Sequence, residues 1–169
     1  VFERVRELLP DADLVYLADQ ANVPYGERSL DEVRELARAA VSILADRGAD
    51  TVVIACNTAS AAALDDLRSA FPDLAIVGME PAVKPAAGTT RSGTIGVLAT
   101  DATFAAARFE DLVGRFASDV EVIAHSCPGW ATAIEESWPD GAADEVRRHL
   151  APLLARGVDT LVLACTHYS

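Results

Sequence analysis

A ten-residue pattern occurs twice in the chain, at residues 47–56 and at residues 156–165, and seven of its ten positions are identical. In each copy a Gly-x-Asp turn leads into a run of β-branched and aliphatic residues that ends on a cysteine, Cys56 in the first and Cys165 in the second. Such a run predicts a short strand that is buried on both faces, with the cysteine at its carboxyl end. The repetition therefore predicts two equivalent half-sites.

Two strand ends of this kind predict a binding site. Parallel α/β sheets bind ligands in the crevice beyond the carboxyl ends of their strands, so the two ends would hold one small molecule between two thiols. A single cysteine at the end of an apolar strand is more often an inert core residue, because free cysteine is among the most buried residue types. Packing alone gives no reason to keep cysteine at both Cys56 and Cys165, and we therefore favour a functional role for the pair.

The composition restricts the classes of partner. The 169 residues contain no apolar stretch near the ~18 residues that a membrane helix needs, and no signal peptide is visible. These features indicate a soluble cytoplasmic protein that does not bind membranes. A formal net charge of -12 argues against nucleic acid as a partner, because nucleic-acid-binding surfaces are basic. The sequence leaves the oligomeric state open, with a homodimer among the alternatives.

The residues predict a site without a cofactor or a metal. The three cysteines, Cys56, Cys127 and Cys165, are too far apart for a C-x-x-C pair, so we interpret them as reduced thiols and not as zinc ligands. Pyridoxal phosphate would have to bind through the only lysine, Lys84, which lies in a proline-flanked segment. We therefore expect side chains and backbone amides alone to carry the chemistry.

Strand-like and helix-like segments alternate along the chain, which predicts parallel sheets flanked by helices. A segment rich in proline and glycine, residues 78–93, is interpreted as a connection. We therefore predict an α/β fold with two similar lobes, residues 1–91 and 92–169, and an active site in the cleft between them. The predicted strands are residues 14–18, 75–77, 94–99 and 120–124 and the two cysteine runs, and the predicted helices are residues 1–9, 30–44, 103–116 and 144–156, with others after Cys56 and around Glu135.

The helix after Cys56 begins close to that thiol, since Asn57 or Thr58 can cap its amino terminus. The free amides at a helix amino terminus bind carboxylates, and they can also lower the pKa of a neighbouring thiol from its free value of ~8.5. An anionic substrate would be bound by such local donors in this acidic chain. A titratable group also lies near the other thiol, because His167 follows Cys165 by two residues.

Five segments of the chain match motifs of one enzyme family. They are Pro24-Tyr25-Gly26, residues 55–60 (Ala-Cys-Asn-Thr-Ala-Ser), residues 80–86 (Glu-Pro-Ala-Val-Lys-Pro-Ala), Cys127-Pro128 followed by Ile134-Glu135-Glu136, and residues 164–168 (Ala-Cys-Thr-His-Tyr). In their order and spacing they resemble the glutamate racemases, cofactor-independent isomerases of the aspartate/glutamate racemase superfamily. The similarity spans essentially the whole chain.

The resemblance implies an enzyme that interconverts L- and D-glutamate and, in bacteria, supplies D-glutamate for peptidoglycan synthesis. It implies that Cys56 and Cys165 are catalytic acid/bases on opposite faces of the substrate α-carbon, with Cys56 acting on D-glutamate and Cys165 on L-glutamate. His167 and Glu135 look like the pair that supports Cys165 and the substrate ammonium. The chemistry agrees, because racemisation removes a proton from one face and returns one to the other.

The resemblance also implies which residues bind the substrate. Asn57, Thr58 and Thr166 would supply donors to the substrate carboxylate. Pro24, Tyr25 and Gly26 would line the side-chain end, and Thr100 and Thr103 resemble further binding threonines.

Several of these residues have a simpler structural explanation. Thr100 and Thr103 can cap a helix that begins near Ala102, and Tyr25 can pack over a turn. Glu135 and Glu136 can lie on a solvated helix face. We interpret His149 as part of a solvated face, and His125 and Cys127 as structural.

The sequence departs from the family in two places. The family has an Asp-Ser-Gly motif just upstream of where this chain begins, and its aspartate assists the first cysteine. The family also continues past the second cysteine motif with further helices. Neither segment is in this sequence, so the resemblance implies a fragment that lacks both, for which activity in isolation is not assured.

Two other functions remain as alternatives. One is a sister racemase for aspartate or another acidic amino acid, although Pro24-Tyr25-Gly26 together with the motif around Cys165 favours glutamate. The other is an α/β protein that binds an amino acid without turning it over, in which case two buried thiols would serve no purpose.

Overall fold

The chain forms two parallel sheets, each flanked by helices. The structure, a computed structural model, describes residues 1–137 and 141–168, and residues 138–140 and 169 of the predicted second lobe lie outside the described part. The strands are β1 (Thr51–Val53), β2 (Ala75–Val77), β3 (Thr94–Ala99), β4 (Glu121–Ser126) and β5 (Thr160–Leu163). The helices are α1 (Phe2–Leu8), α2 (Leu30–Asp46), α3 (Asn57–Ala70), α4 (Val83–Thr89), α5 (Asp101–Ala105), α6 (Ala107–Phe116), α7 (Trp130–Glu135) and α8 (Ala142–Ala155). The predicted α/β class with parallel sheets is confirmed, and the lobe boundary near residue 91 stays a prediction.

The first sheet consists of β1 and β2, which pair in parallel with Val52 opposite Ile76. Helix α2 begins at a capping box, in which the side chains of Ser29 and Glu32 each accept a hydrogen bond from the backbone amide of the other. Helices α2 and α3 pack against each other and against the sheet. Their shared core contains Ala37, Val41, Val52, Ala63, Leu64, Leu67 and Ile76. Burial of each of the leucines contributes about 1.5–3 kcal/mol.

The second sheet has the order β4-β3-β5, and both pairs are parallel. Its central strand β3 is buried along its whole length, because successive side chains of a strand point to opposite faces and helices cover both. On one face Ile95, Val97 and Ala99 pack with residues of α4 and α6. On the other face Leu98 packs with residues of α7 and α8, among them Trp130. The two cysteine strands thus belong to different sheets.

Both cysteine strands are buried on one face only, so the predicted burial on both faces is wrong. Val52 in β1 and Val162 in β5 point into the cores, whereas Val53, Leu161 and Leu163 are exposed. An apolar sequence permits burial of both faces of a strand. Whether helices or another sheet in fact cover both faces depends on the tertiary arrangement. Here β5 lies at the edge of its sheet, and the first sheet has only two strands in the described residues.

Three further segments differ from the prediction. Residues 14–18 form no strand, since no described strand pairs with them and Tyr16 is 69% exposed. The connecting segment contains helix α4, in which Pro85 occupies the first turn, where a missing amide breaks no helical hydrogen bond. The predicted helix over residues 103–116 is divided into α5 and α6 by an extended backbone at Ala106.

Helices of the two sheets meet through a buried cluster of hydroxyl groups. Thr58 on α3 lies 3.0 Å from Thr100 and 3.1 Å from Thr103 between hydroxyl oxygens, and Thr100 and Thr103 are 3.0 Å apart. Arg108 on α6 adds ion pairs to Asp65 and Glu80 nearer the surface. Buried hydroxyl groups that satisfy one another fix a packing more firmly than exposed ion pairs do. We call Thr58, Thr100 and Thr103 the threonine cluster. It fixes the position of α3, which follows the first cysteine strand, relative to α5, which follows the central strand of the second sheet.

None of the helices in residues 1–137 and 141–168 is both long enough and apolar enough to cross a membrane.

Candidate active site

Cys56 lies three residues beyond β1 and is itself the capping residue of helix α3. Its Sγ accepts a hydrogen bond from the amide of Ala59 at 3.4 Å, so the predicted cap at Asn57 or Thr58 is wrong. Burial raises the pKa of the Cys56 thiol, while the amides of Ala59 and Thr58 and the hydroxyl of Thr58 oppose that rise. The helix amino terminus thus acts in the expected direction, towards a lower pKa. Desolvation is the larger effect, and the pKa of the Cys56 thiol is raised overall.

Cys165 lies two residues beyond β5 and has a different environment. Its Sγ is 3.7 Å from Nδ1 of His167, and Nε2 of His167 is 2.7 Å from the Glu135 carboxylate. Burial raises the pKa of the Cys165 thiol, and the negative charge of Cys56 adds to the rise, while the amide of His167 opposes it. The repeated sequence therefore produces two thiols with unlike partners: helix amides beside one, and a histidine–glutamate pair beside the other.

The two thiols line one cavity of about 510 Å³, within the range of small-molecule sites. All of the predicted site residues line it except Thr103, which is fully buried in the threonine cluster. Phe2, Val15 and Tyr16 also line the cavity. The lining residues predicted from the sequence are Pro24, Tyr25, Gly26, Cys56, Asn57, Thr58, Thr100, Glu135, Cys165, Thr166 and His167.

The cavity has few fixed charges. Among the described residues no lysine or arginine side chain lines it, and its carboxylates are Asp19 and Glu135. A bound carboxylate must therefore be held by amides and hydroxyl groups. Asn57 supplies an acceptor, because its side-chain oxygen is buried and has no hydrogen-bond partner among the described residues. An unsatisfied buried acceptor of this kind favours a ligand that brings a donor.

The predicted loop motif is fixed by an aspartate that was not among the residues selected from the sequence. The hydroxyl of Tyr25 donates to Asp19 at 2.6 Å, and the side-chain amide of Asn22 donates to the same carboxylate. Burial, followed by the interaction with Asp19, raises the pKa of the Tyr25 hydroxyl. The sequence did contain an indication of this role, because Asp19 is the first polar residue after the apolar run 14–18. The polar residues near the two thiols likewise come directly after apolar runs. Tyr25 thus lines the cavity as a neutral donor already engaged by Asp19.

Thr100 has both of the roles considered for it. Its hydroxyl accepts the amide of Thr103 and so caps helix α5, and it also lines the cavity. The structural explanation and the proximity to the site are therefore compatible.

A second group of potential ligands lies outside this cavity. His125, Cys127 and His149 place one ligand atom each within 4.8 Å of the others. The interpretation of His149 as part of a solvated helix face is wrong, because its side chain is only 19% exposed and packs against Trp130. The sequence does not show that His149 is close to His125, because the two residues are brought together by the packing of β4 with α8.

The family model described as Asp/Glu/Hydantoin racemase matches residues 1–169. The chain is 53% identical to a glutamate racemase of Roseiflexus sp. (strain RS-1) and 50% identical to one of Pseudomonas entomophila (strain L48), in each case over 99% of the chain. These alignments cover 62% and 64% of the relatives, so the chain spans less than two thirds of their length.

The chain is also similar to solved structures of glutamate racemases. A glutamate racemase of Escherichia coli, in complex with L-glutamate and the activator UDP-MurNAc-ala, matches with a TM-score of 0.86 and 35% identity. A glutamate racemase of Francisella tularensis, in complex with D-glutamate, matches with a TM-score of 0.82 and 26% identity. Each match covers 99% of this chain and 64% of the solved chain.

Proposed function

Because the chain belongs to the Asp/Glu/hydantoin racemase family, we propose that it interconverts L- and D-glutamate with Cys56 and Cys165 as paired acid/bases and without a cofactor. The observation that carries the proposal is that two thiols, each following a strand of a different sheet, line one cavity. The name glutamate racemase, borne by the relatives, supports glutamate as the substrate. The D-glutamate formed would serve peptidoglycan synthesis.

The reaction removes the α-proton from one face of the substrate α-carbon and adds a proton to the opposite face. The thiolate of one cysteine removes the α-hydrogen, and the electron pair of the broken C–H bond delocalises into the carboxylate as an enolate-like anion. The thiol of the other cysteine then donates its proton to the opposite face. The first cysteine ends as a thiol and the second as a thiolate, so the pair is set for the reverse reaction.

The residues around the thiols suit an amino-acid substrate. We propose that the amides and hydroxyls at the start of α3, from Asn57 and Thr58, and those of Thr166 bind the α-carboxylate and stabilise the developing charge. The unsatisfied oxygen of Asn57 would accept a hydrogen bond from the substrate ammonium. The loop that carries Tyr25 would line the side-chain end. Thr103 acts indirectly in this scheme, because it is buried behind Thr100 in the threonine cluster.

The proposal is tested by measuring racemisation of glutamate and of aspartate, together with exchange of the α-hydrogen in deuterated water. Because the chain spans 62% of the length of the Roseiflexus relative, the assay uses the 169-residue chain and a version extended to the full length of that relative with its remaining residues. We expect glutamate to be racemised much faster than aspartate. Faster turnover of aspartate would indicate a sister racemase, and glutamate binding without α-hydrogen exchange would indicate a binding protein.

The rate should depend on pH through the two thiols. Each turnover needs one thiolate and one thiol, so kcat/KM should rise as the first thiol ionises and fall as the second does. Because burial raises the pKa of both Cys56 and Cys165, the rising limb should lie at or above the free thiol pKa of about 8.5. A pH profile of kcat/KM for either enantiomer measures this. A rising limb clearly on the acidic side of the free thiol value contradicts the expectation.

Glu135 is expected to act as a positioning residue through His167. The change Glu135→Gln removes the charge that holds the ring of His167 near Cys165, and we expect kcat/KM to fall by about 10- to 100-fold, less than loss of a general acid–base costs. The pH profile should change with it, which a purely structural role would not produce. Glu136→Gln is the matched control, because Glu136 is the adjacent exposed residue. Equal effects of the two changes contradict the assignment.

A further inference from the structure

His125, Cys127 and His149 form a group of potential metal ligands outside the candidate active site. His125 is on β4, Cys127 follows that strand directly, and His149 is on α8. Their ligand atoms lie within 4.8 Å of one another, and Nε2 of His125 is 2.9 Å from Nδ1 of His149. None of the three residues lines the cavity that contains Cys56 and Cys165.

The hydrogen bonds around His149 present a lone pair to this group. Nε2 of His149 is 3.1 Å from the Glu145 carboxylate, which can only accept, so that nitrogen carries the proton. In the neutral ring Nδ1 is then unprotonated and accepts a hydrogen bond from Nε2 of His125 at 2.9 Å, so the proton of His125 must move to its Nδ1 before both facing nitrogens can bind an ion. A histidine whose second nitrogen donates to a carboxylate is the arrangement that orients imidazole ligands in metal sites. Burial, followed by the proximity of His149, lowers the pKa of His125, which favours the neutral ring that metals bind.

We propose that His125, Cys127 and His149 bind a zinc-class divalent ion, with the fourth position of a tetrahedron taken by water. Two imidazoles and one thiolate are the donors that zinc and cobalt prefer, whereas magnesium and calcium require oxygen ligands. Zinc–nitrogen bonds of about 2.0–2.1 Å need the two ring nitrogens about 3.3–3.4 Å apart in a tetrahedron. The rings must therefore separate by a few tenths of an ångström from the observed contact.

Binding of the ion requires the thiol of Cys127 to lose its proton. Burial, followed by the charges of Cys165 and Glu145, raises the pKa of the Cys127 thiol to about 12. The thiol must release its proton to solvent when the sulfur bonds the metal, so one proton is lost for each ion bound and the affinity should increase with pH.

An ion at this position would connect elements that are next to the candidate active site. The backbone oxygen of Cys127 accepts a hydrogen bond from Tyr168 at 3.2 Å, and Trp130 packs edge-on against both Tyr168 and His149. Trp130 begins helix α7, which carries Glu135. We therefore expect the ion to stabilise the folded protein, because it binds ligands that only the fold brings together.

The test is a titration with Co²⁺ of protein treated with a chelator and carrying Cys56→Ser and Cys165→Ser, which removes the other two thiols. We expect one ion per chain, with the visible bands of tetrahedral Co²⁺ and a near-ultraviolet thiolate-to-cobalt band, and a higher Tm with Zn²⁺ than without it. The Cys127→Ser change should remove the thiolate band. Glu145→Gln should weaken Zn²⁺ binding by roughly 10- to 100-fold, and His149→Gln by more.

The matched control is His167→Gln in the same background, which should leave the bands unchanged because His167 belongs to the other site. The unfolding transition of each variant without metal shows whether it is folded. The absence of a thiolate band in the background protein would overturn the proposal, and this result does not depend on whether any histidine variant folds. Bands that survive both His125→Gln and His149→Gln would overturn it too.

Discussion

Replacing either Cys56 or Cys165 by alanine should lower the racemisation rate by about 100- to 10,000-fold in both directions, the range that a positioned acid or base contributes. The two enantiomers have equal free energies in water, so the equilibrium constant is unity. The ratio kcat/KM must then be the same for L- and D-glutamate in the parent and in every variant. A loss confined to kcat/KM in one direction is therefore thermodynamically impossible, and either change must affect both.

The measurement is the initial rate of racemisation from each enantiomer in the version extended to the full length of a relative. The matched controls are Thr51→Ala and Leu163→Ala, which alter exposed positions on the same two strands that do not line the cavity. Both should retain the parent rate. Unfolding transitions of the cysteine variants should resemble that of the parent, because the change removes one sulfur atom. A Cys165→Ala protein that racemises at nearly the parent rate, or activity that requires pyridoxal phosphate, would end the two-thiol proposal.

Solvent deuterium then distinguishes a mechanism with two acid/bases from one with a single base. In deuterated water the thiol that delivers the proton carries deuterium, so product formed early should be labelled at the α-carbon and the remaining substrate should not. This pattern arises only when different groups remove and return the proton. Label that enters substrate and product at equal rates would indicate a single base that serves both faces.

The repeated pattern alone predicted where the two cysteines lie relative to the strands. It placed Cys56 and Cys165 after parallel strands, and the carboxyl ends of such strands are where α/β proteins bind ligands. The prediction succeeded because it depends on local sequence: an apolar run, a turn before it and a polar residue after it.

The sequence did not predict features that depend on distant contacts. The threonine cluster joins Thr58 to Thr100 and Thr103 across more than forty positions, and no periodicity connects them. The repeat itself does not carry the unlike surroundings of the two thiols, because it ends at the cysteines. The residues after it predicted the helix start beside Cys56 and the histidine beside Cys165, and only the family resemblance paired His167 with Glu135. Burial likewise decided the direction of the thiol pKa, and burial is a property of the whole fold.

The change Gly26→Ala should destabilise the protein by about 1–3 kcal/mol, the usual cost of forcing extra volume into a packed position, and should lower kcat/KM as well. A Cβ at Gly26 would lie 2.3 Å from Cγ2 and 2.5 Å from Cβ of Thr100. Thr100 cannot move aside easily, because it is buried, branched at Cβ and bonded to Thr58 and Thr103. The loop must shift instead, and it carries Tyr25 away from the cavity.

Thermal unfolding and kcat/KM for glutamate measure the two effects, and Gly88→Ala is the control. Gly88 is in helix α4, and no atom outside its own helical turn lies within 4 Å of the position that a Cβ would occupy there, so alanine should stabilise the helix by up to about 1 kcal/mol. Adding Thr100→Ser to Gly26→Ala removes the nearer contact and keeps the hydroxyl, so stability should return in part, because the contact with Cβ of residue 100 persists. If the Gly26→Ala protein has the same Tm and the same kcat/KM as the parent, the loop is not held against Thr100. The proposed position of the loop at the substrate side chain then has no structural support.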